Sequence, residues 1–489
     1  MRKPAKKRDT SSDPDAETAS LVRKALFRAV EDASSPEDIC LPLQHLMAPT
    51  NSSPTLIPST NLSPKSQQTL VLQTIQTFEK SHAKRFFSGL KSLVETIVQE
   101  ETYVPASAFA EDDDEASQNN DDDDSVEITP DAKSSEALLF LKHAAMTVDA
   151  YLHGRLQQDK RQSKGIPLSI PAHVLDVAMD LHQILFSLST AGPDAEAVQT
   201  TILNLCEAWW HANGPSRDNL IVQCLPLLVL QALESKDLNK SHMKRLYQLR
   251  KAFSVIDFTN PSSDSLRELL MRVASNPLGL KLQEGKGLLA SLLQDPELVQ
   301  DLHLAIKAQI PQVKQSILKS YGDIYLKAWK DAEDESREAI EHVALSDLTL
   351  AAIQVGSTST RNSLSTLLEP IHAAKKTPEV AGLLYRLYGP ILFRMASASN
   401  PKVRVNAVDV LAKVFPLHDP TANQMQAAVE KASNTLKTTL MDSDASVRVA
   451  GSQATAQVLV MFWEALPAAD IRALLNRKCT LLWWMWMNM

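Results

Sequence analysis

One stretch of the sequence places glycines and a lysine at nearly the spacing of a phosphate-binding loop. It runs from Gly279 to Gly287 as GLKLQEGKG, with Lys286 before the last glycine. In such loops the glycines let backbone N–H groups cradle phosphates, while a lysine and a hydroxyl serve the terminal phosphate and Mg²⁺. Here the spacing is one residue too long, and Gly287 stands where the hydroxyl is needed. The stretch therefore argues against nucleotide binding.

No other catalytic or metal-binding pattern is present in the sequence. The four cysteines form no CxxC pair and no Cys/His cluster with zinc-ligand spacing: Cys40, Cys206, Cys224 and Cys479. The twelve histidines are scattered, and no HExxH, GxSxG or kinase motif set occurs. We therefore expect no enzyme activity, no catalytic, metal or cofactor site, no cofactor and no small-molecule substrate.

Basic side chains supply the remaining candidates for a functional surface. Contacts to DNA phosphates need only positive charge along one face of the protein. The DNA-contact candidates form two groups, Lys244, Arg245, Arg250 and Lys251, and Lys402, Arg404 and Lys413. For Arg404 we favour a structural role, because an arginine that recurs with the period of an array usually packs between repeats. A third cluster is either a nuclear-localisation signal or a solvated tail: Arg2, Lys3, Lys6, Lys7 and Arg8.

Composition favours an all-helical protein. Of the 489 residues, 44% are hydrophobic, yet aromatic residues make up only 5% and glycine contributes 13 positions. Leucine and alanine dominate, and both are good helix formers. The net charge is −8, but residues 111–127 alone carry ten carboxylates and no basic residue. The rest of the chain is close to neutral, which leaves room for local basic patches. The polar start and the lack of an apolar run of about 18 residues predict a soluble protein without a membrane segment.

The chain divides by composition into five regions. These are a basic disordered tail at 1–18, amino-terminal helices at 19–103 with a Ser/Pro-rich linker at 48–66, an acidic disordered loop at 104–134, a helical array at 135–477 and an atypical tail at 478–489. Within the array, residues 220–235 are apolar on nearly every side and predict one fully buried helix. The tail CTLLWWMWMNM has no helical period. We expect it to mark a truncated or misread end.

The clearest internal repeat lies between residues 380 and 466. NPKVRVNAVDVLAKVF begins at Asn400, and DASVRVAGSQATAQVL begins at Asp444, an offset of 44 residues. At this offset Arg404 matches Arg448. HEAT repeats have a period of about 40–47 residues and consist of two antiparallel helices. The polar residue before the second helix can cap it. The sequence therefore predicts a HEAT-repeat-like α-solenoid of antiparallel helix pairs.

Several stretches resemble the HEAT-repeat subunit of the G type in condensin II. They include NLCEAWW at 204–210, KRLYQLRKAFSVIDF at 244–258, LLYRLYGPILFRMASASNPKVRVNAVDVLAKVFPLHDP at 383–420 and SVRVAGSQATAQVLVMFWEALPAADI at 446–471. The resemblance covers roughly residues 135–475. Family members are about twice as long as this chain.

This resemblance implies a non-catalytic role in mitotic chromosome condensation. The implied partners are the H-type kleisin, the pair of structural-maintenance-of-chromosomes ATPases and the D-type HEAT subunit through the complex, and DNA in chromatin. The implied location is the nucleus and its chromosomes. An importin-type nuclear-transport receptor or another HEAT scaffold remains the alternative. An importin would need regular repeats from the start and an acidic concave face.

Overall fold

The computed structural model describes residues 14–31, 64–101, 103, 130–162, 169–190, 193–234, 240–421 and 425–487. All regular elements in these ranges are helices. The predicted all-α, HEAT-repeat-like solenoid is confirmed. The chain divides into two compact units, unit 1 at residues 1–228 and unit 2 at residues 229–489. The array predicted at 135–477 runs across this division.

Unit 1 is built from helices that pack against the next helix but one. Its helices are α1 (Pro14–Glu31), α2 (Pro64–Gln76), α3 (Lys80–Gln99), α4 (Pro130–Gln162), α5 (Ala172–Gln183), α6 (Pro193–His211) and α7 (Arg217–Val222). In this pattern α2 packs on α4, α4 on α6, and α3 on α5. Such alternation is the packing of stacked helix pairs.

Prolines set the starts of several helices in unit 1. Helix α1 begins at Pro14 and α4 at Pro130, each about five residues before the start expected from the apolar period. Proline suits the first helical position because its fixed φ is helical and its missing N–H is not needed there. The acidic stretch 111–127 and most of the Ser/Pro-rich linker lie outside the described residues.

The apolar stretch 220–235 forms two helices, so the prediction of one buried helix was wrong. Helix α7 ends at Val222, and α8 (Cys224–Glu234) begins two residues later. Pro226 explains the break. It has no N–H to donate to the Val222 carbonyl, and its ring would clash with that carbonyl in a continuous helix.

Unit 2 repeats the same packing with more elements. Its helices are α9 (Lys240–Gln248), α10 (Asp264–Ala274), α11 (Gln283–Leu292), α12 (Pro296–Gln309), α13 (Gln315–Asp331), α14 (Asp334–Ala339), α15 (Ser346–Gln354), α16 (Thr358–Ala373), α17 (Pro378–Tyr388), α18 (Leu392–Met395), α19 (Pro401–Val414), α20 (Met425–Thr439), α21 (Ala445–Phe462) and α22 (Ala468–Met487). One row of neighbours is α9, α11, α13 and α16, and another is α15, α19 and α21. A π-helical segment, Ile340–Leu345, joins α14 to α15.

Helices α13 and α16 approach each other more closely than side chains would allow. A Cβ atom placed on Gly322 would lie 2.0 Å from the Leu367 carbonyl oxygen and 2.9 Å from the Pro370 ring. Next to this crossing, His372 is buried, and its Nε2 lies 2.9 Å from the Tyr388 hydroxyl. Glycine is therefore required at position 322 for the observed packing.

The repeat read from the sequence has the expected geometry. Helices α19 and α21 begin 44 residues apart and pack against each other. The Asn400 side chain accepts a hydrogen bond from the Lys402 N–H at 3.0 Å, and the Asp444 side chain accepts one from the Ser446 N–H at 2.8 Å. Both helices thus begin at the capping residues that the sequence predicts.

The last described helix, α22, continues to Met487, into the tail that has no helical period. Leucine and methionine have a high helix propensity at any position of a helix. The apolar period decides only which face of a helix is buried, so its absence does not prevent a helix from forming. The described part of the chain holds no helix that is long and apolar enough to cross a membrane.

Candidate nucleic-acid interface

Arg404 lies at the junction of two repeats, where its guanidinium is engaged on three nitrogens. Its Nε and Nη2 each donate to one carboxylate oxygen of Asp442 at 2.8 Å. Its Nη1 donates to the carbonyl oxygens of Ala398 and Ser399 at 2.8 and 3.0 Å. The two charged side chains are only 12% and 15% exposed. Burial alone would raise the pKa of the Asp442 carboxyl, but the hydrogen bonds from Arg404 lower that pKa below its usual value.

Arg448 repeats half of this arrangement one repeat later. Its Nη1 donates to the carbonyl oxygens of Asp442 and Ser443 at 2.8 and 2.9 Å, five and six residues before it. The Arg404 contacts to Ala398 and Ser399 have the same spacing. The recurring arginine therefore donates to backbone carbonyls of the turn before each second helix. Arg404 also binds Asp442 of the next repeat.

The other two candidates on α19 differ in how their charge is balanced. The Lys413 Nζ donates to the Asp409 carboxylate and the Ser365 hydroxyl, both at 2.7 Å. Lys402, in contrast, is exposed at the start of the helix. Of the three α19 candidates, two are thus paired with carboxylates, and little net positive charge remains on this helix.

The second predicted group lies on α9 and the turn that follows it. Residues 240–256 contain five lysines and arginines and no carboxylate. Lys240 and Lys244 are exposed and one helical turn apart, and Lys251 is exposed in the following 3₁₀ turn. We call these three residues the α9 stripe. Lys240 was missed in the sequence analysis, although its spacing of four from Lys244 could have identified it.

The two arginines of this group are partly covered. Arg245 is half-buried. The Arg250 guanidinium carbon lies 4.3 Å from the centre of the Tyr247 ring, and its Nη1 donates to the Tyr247 carbonyl at 2.9 Å. A guanidinium held over an aromatic ring keeps its positive charge. Arg250 therefore contributes positive charge beside the α9 stripe.

The glycines of the loop-like stretch 279–287 are needed for close packing around α11. A Cβ atom on Gly285 would lie 2.2 Å from the Gly279 carbonyl oxygen, and one on Gly287 would lie 2.5 Å from the Tyr247 ring. Both glycines are buried in α11. Gly287 allows α9 to pack closely on α11, and Gly285 allows α11 to pack on the turn at Gly279, which explains this glycine-rich stretch without a bound phosphate.

An acidic groove borders the stripe on one side. The groove has a volume of about 960 Å³, and Arg250 and Lys251 form part of its wall. Lys327 also lines it, together with six carboxylates: Asp257, Asp295, Glu297, Asp331, Glu333 and Glu335. Hydrogen bonds from Thr259 lower the pKa of Asp257, while burial raises the pKa of Asp295. DNA lying on the α9 stripe would be repelled from this groove.

The remaining predicted features add no further site. Arg2, Lys3, Lys6, Lys7 and Arg8 lie outside the described residues. Across the described ranges, no group of three or more His, Cys, Asp or Glu side chains could hold a metal ion. The adjacent tryptophans of α6 are both packed, with Trp209 donating from Nε1 to the Pro215 carbonyl at 2.9 Å.

Comparison with known proteins connects the fold to one family. Residues 272–419 match the family described as "Condensin II non structural maintenance of chromosomes subunit". The resemblance to the G-type subunit of condensin II is confirmed. The matched residues include α19 and its Lys413–Asp409 ion pair, whereas Asp442 follows them and the α9 stripe precedes them.

Relatives from vertebrates carry the name "Condensin-2 complex subunit G2". The mouse protein is 28% identical over 299 residues, which is 60% of this chain and 26% of the mouse protein. The human protein is 28% identical over 310 residues, which is 62% of this chain and 27% of the human protein. The alignments thus span about a quarter of the length of these condensin II subunits.

Solved structures give only a weak likeness. UNC-45 from Drosophila melanogaster is 14% identical, with a TM-score of 0.24 over 95% of this chain and 58% of that chain. The Pds5–Scc1 complex gives 11% identity and a TM-score of 0.21, over 99% of this chain and 75% of that chain. These TM-scores are too low to support an argument about this chain.

Proposed function

We propose that this chain is a non-catalytic subunit of a condensin II complex and acts in mitotic chromosome condensation by binding an H-type kleisin and DNA. The likeness to condensin-2 complex subunit G2 supports the proposed membership of a condensin II complex. The proposal includes the pair of structural-maintenance-of-chromosomes ATPases and the D-type HEAT subunit, reached through the complex, and a place on chromosomes in the nucleus.

The α9 stripe is the observation that carries the DNA part of the proposal. Lys240, Lys244 and Lys251 are exposed, and none of them forms an ion pair among the described residues, although Lys251 also lies in the wall of the acidic groove. Phosphate contacts require uncompensated cations along one face. The α19 group meets this condition poorly, because Arg404 and Lys413 are bonded to carboxylates. We therefore place the DNA contact on α9.

A salt titration of DNA binding tests this assignment. The change is the triple variant Lys240→Ala, Lys244→Ala and Lys251→Ala, measured by fluorescence anisotropy with a labelled duplex. Each lost phosphate contact should reduce the slope of log K against log salt by about 0.9, so the slope should fall by about 2 to 3. Lys330→Ala, an exposed lysine of α13, is the matched control and should leave the slope unchanged.

A second arm compares the two predicted groups directly. Lys402→Ala removes the exposed cation of α19 and should leave the slope unchanged, whereas loss of one phosphate contact would reduce it by about 0.9. An unchanged slope in the triple variant, together with a fall in the Lys402→Ala variant, would move the DNA contact to α19. Unchanged slopes in both would remove DNA binding from the proposal.

A pull-down tests the assignment to the complex. Tagged chain expressed in cells should recover the H-type kleisin and both ATPases. Recovery of neither by this chain or by a version of full family length would refute the condensin II proposal. Recovery by the longer version alone would show that this chain lacks part of the kleisin-binding surface.

A further inference from the structure

One side of α19 is covered by the repeat that follows it. Two contacts eleven residues apart mark this side, because eleven residues make about three helical turns. Near the start of α19, Arg404 binds the carboxylate in the turn before α21. At the end of α19, the centre of the Phe415 ring lies 5.0 Å from that of Phe462, the last residue of α21. Between these contacts, Val408 and Ala412 are fully buried.

The same side of α21 lacks such a cover among the described residues. At the offset of 44, the two buried residues of α19 correspond to Ser452 and Ala456, which are half-buried. Val449 and Val460 flank them and are exposed, Val460 to 84%. Trp463 follows in the next turn and is 52% exposed. Helix α22 packs chiefly on α20 and leaves these residues open. We call the five residues the α21 face.

The α21 face carries no charged residue. Helix α21 is 18 residues long and contains a single charge, Arg448. Its repeat partner α19 has four charged residues in 14 positions: Lys402, Arg404, Asp409 and Lys413. Helix α21 has glutamine at the positions that correspond to the last two. A helix at a protein surface normally carries charged side chains toward water. An exposed apolar strip without them is typical of an interaction surface.

A second copy of the chain fits this face by its charge pattern. A twofold contact brings a surface against itself, so a charged surface would meet like charges. The α21 face meets none. In an antiparallel pairing centred near Ala456, the two Arg448 side chains would lie roughly 15 residues apart along the pair, or about 22 Å. Each Arg448 would then lie beside Trp463 of the other copy, and an arginine next to an indole ring is favourable.

We propose that two copies of this chain associate through the α21 face, with their α21 helices antiparallel and crossing near Ala456. Each copy then covers in the other the side that α21 covers on α19. Removal of the two valines and the tryptophan from water drives the association. The proposal does not rest on the proposed condensin II function, because it concerns unit 2 alone and needs no other protein.

Sedimentation equilibrium of the purified full chain measures this association. One pair of helices buries less than the roughly 1,600 Å² of a standard interface, so we expect a weak dimer with a dissociation constant of about 1–100 μM. The measured mass should rise from one copy to two across that range of concentration.

Paired charge substitutions locate the contact. Antiparallel pairing places Val449 of one copy near Val460 of the other. Val449→Glu with Val460→Glu therefore brings like charges together and should weaken the dimer by about tenfold or more. Val449→Glu with Val460→Lys brings opposite charges together and should give a dimer about tenfold tighter than the first variant. Both positions are exposed, so both variants should fold. Leu304→Glu, at an exposed leucine of α12, is the matched control and should leave the dissociation constant unchanged.

Three results would overturn the proposal. The first is a mass of one copy at every concentration up to about 100 μM, which would leave another protein as the partner of this face. The second is an unchanged dissociation constant in the variant with two glutamates. The third is equal weakening by both double variants, because antiparallel pairing requires them to differ. None of these results bears on the condensin II assignment, which the pull-down tests.

Discussion

Replacing Gly322 by alanine should force α13 and α16 apart. The new Cβ would lie 2.0 Å from the Leu367 carbonyl oxygen, whereas ordinary contacts are at least about 3.4 Å. The obstacle is backbone and not a flexible side chain, so the helices must separate by roughly 1.4 Å or tilt. Overpacking of this kind costs typically about 1–3 kcal/mol, and a backbone contact belongs at the upper end.

The helix preference of alanine offsets part of this cost. Alanine stabilises a helix interior by about 1 kcal/mol relative to glycine. The expected net loss is therefore about 2 kcal/mol, which corresponds to about thirtyfold faster exchange by local opening. Hydrogen exchange followed by mass spectrometry over α13 and α16 measures it. Peptides from unit 1 should be unaffected.

Gly356 provides the matched control, because a Cβ placed there meets nothing within 4 Å. Gly356→Ala should be neutral or stabilising by about 0.4–1 kcal/mol through the unfolded chain. Exchange in α13 and α16 that is as slow in Gly322→Ala as in the unmodified protein would refute the reasoning. It would show that the crossing yields without losing contacts.

Three further substitutions probe buried polar groups of unit 2. Asn406 donates from Nδ2 to the Ile353 and Val355 carbonyls at 2.9 Å each. Asn406→Leu leaves both carbonyls unpaired and should lower the free energy of unfolding by about 2 kcal/mol. A melting temperature equal to that of the unmodified protein would contradict this. Burial lowers the pKa of His372 to about 3. Below about pH 6.5 this histidine is protonated in the unfolded chain but stays neutral in the folded chain, so the free energy of unfolding falls as the pH drops toward 3. His372→Phe should reduce that slope by up to about 1.4 kcal/mol per pH unit in urea unfolding, and an unchanged slope would exclude His372 as the cause. Lys375 donates from Nζ to the Lys413 and Phe415 carbonyls at 2.6 and 2.9 Å. Lys375→Met should therefore lower the free energy of unfolding by about 1 kcal/mol and speed hydrogen exchange at the end of α19. Lys376→Met is the control and should do neither.

The repeat at 400–462 could be predicted because its determinants are local. Asn400 and Asp444 cap their helices through bonds that span two residues, and the offset of 44 is visible in the letters alone. Pro226 also gave a local signal, which the uniformly apolar stretch around it concealed. Helix starts at Pro14 and Pro130 were missed because the apolar period begins later than the backbone helix.

The candidate surfaces were harder to predict because they depend on pairing over long separations. Sequence showed that Arg404 and Lys413 are basic, but it did not show Asp442 38 residues from Arg404. The carboxylates of the acidic groove come from positions between 257 and 335. Charge composition therefore identifies candidates, and only the fold shows which charges stay uncompensated.

Asp442 connects two turns that are otherwise separate in the chain. Its side chain binds Arg404, which holds the carbonyls before α19, and its own carbonyl is held by Arg448 at the start of α21. A shift of one turn must therefore stretch bonds at the other. We expect the two turns to move together as one rigid edge of unit 2, while bending of unit 2 takes place at the apolar contacts between its helices.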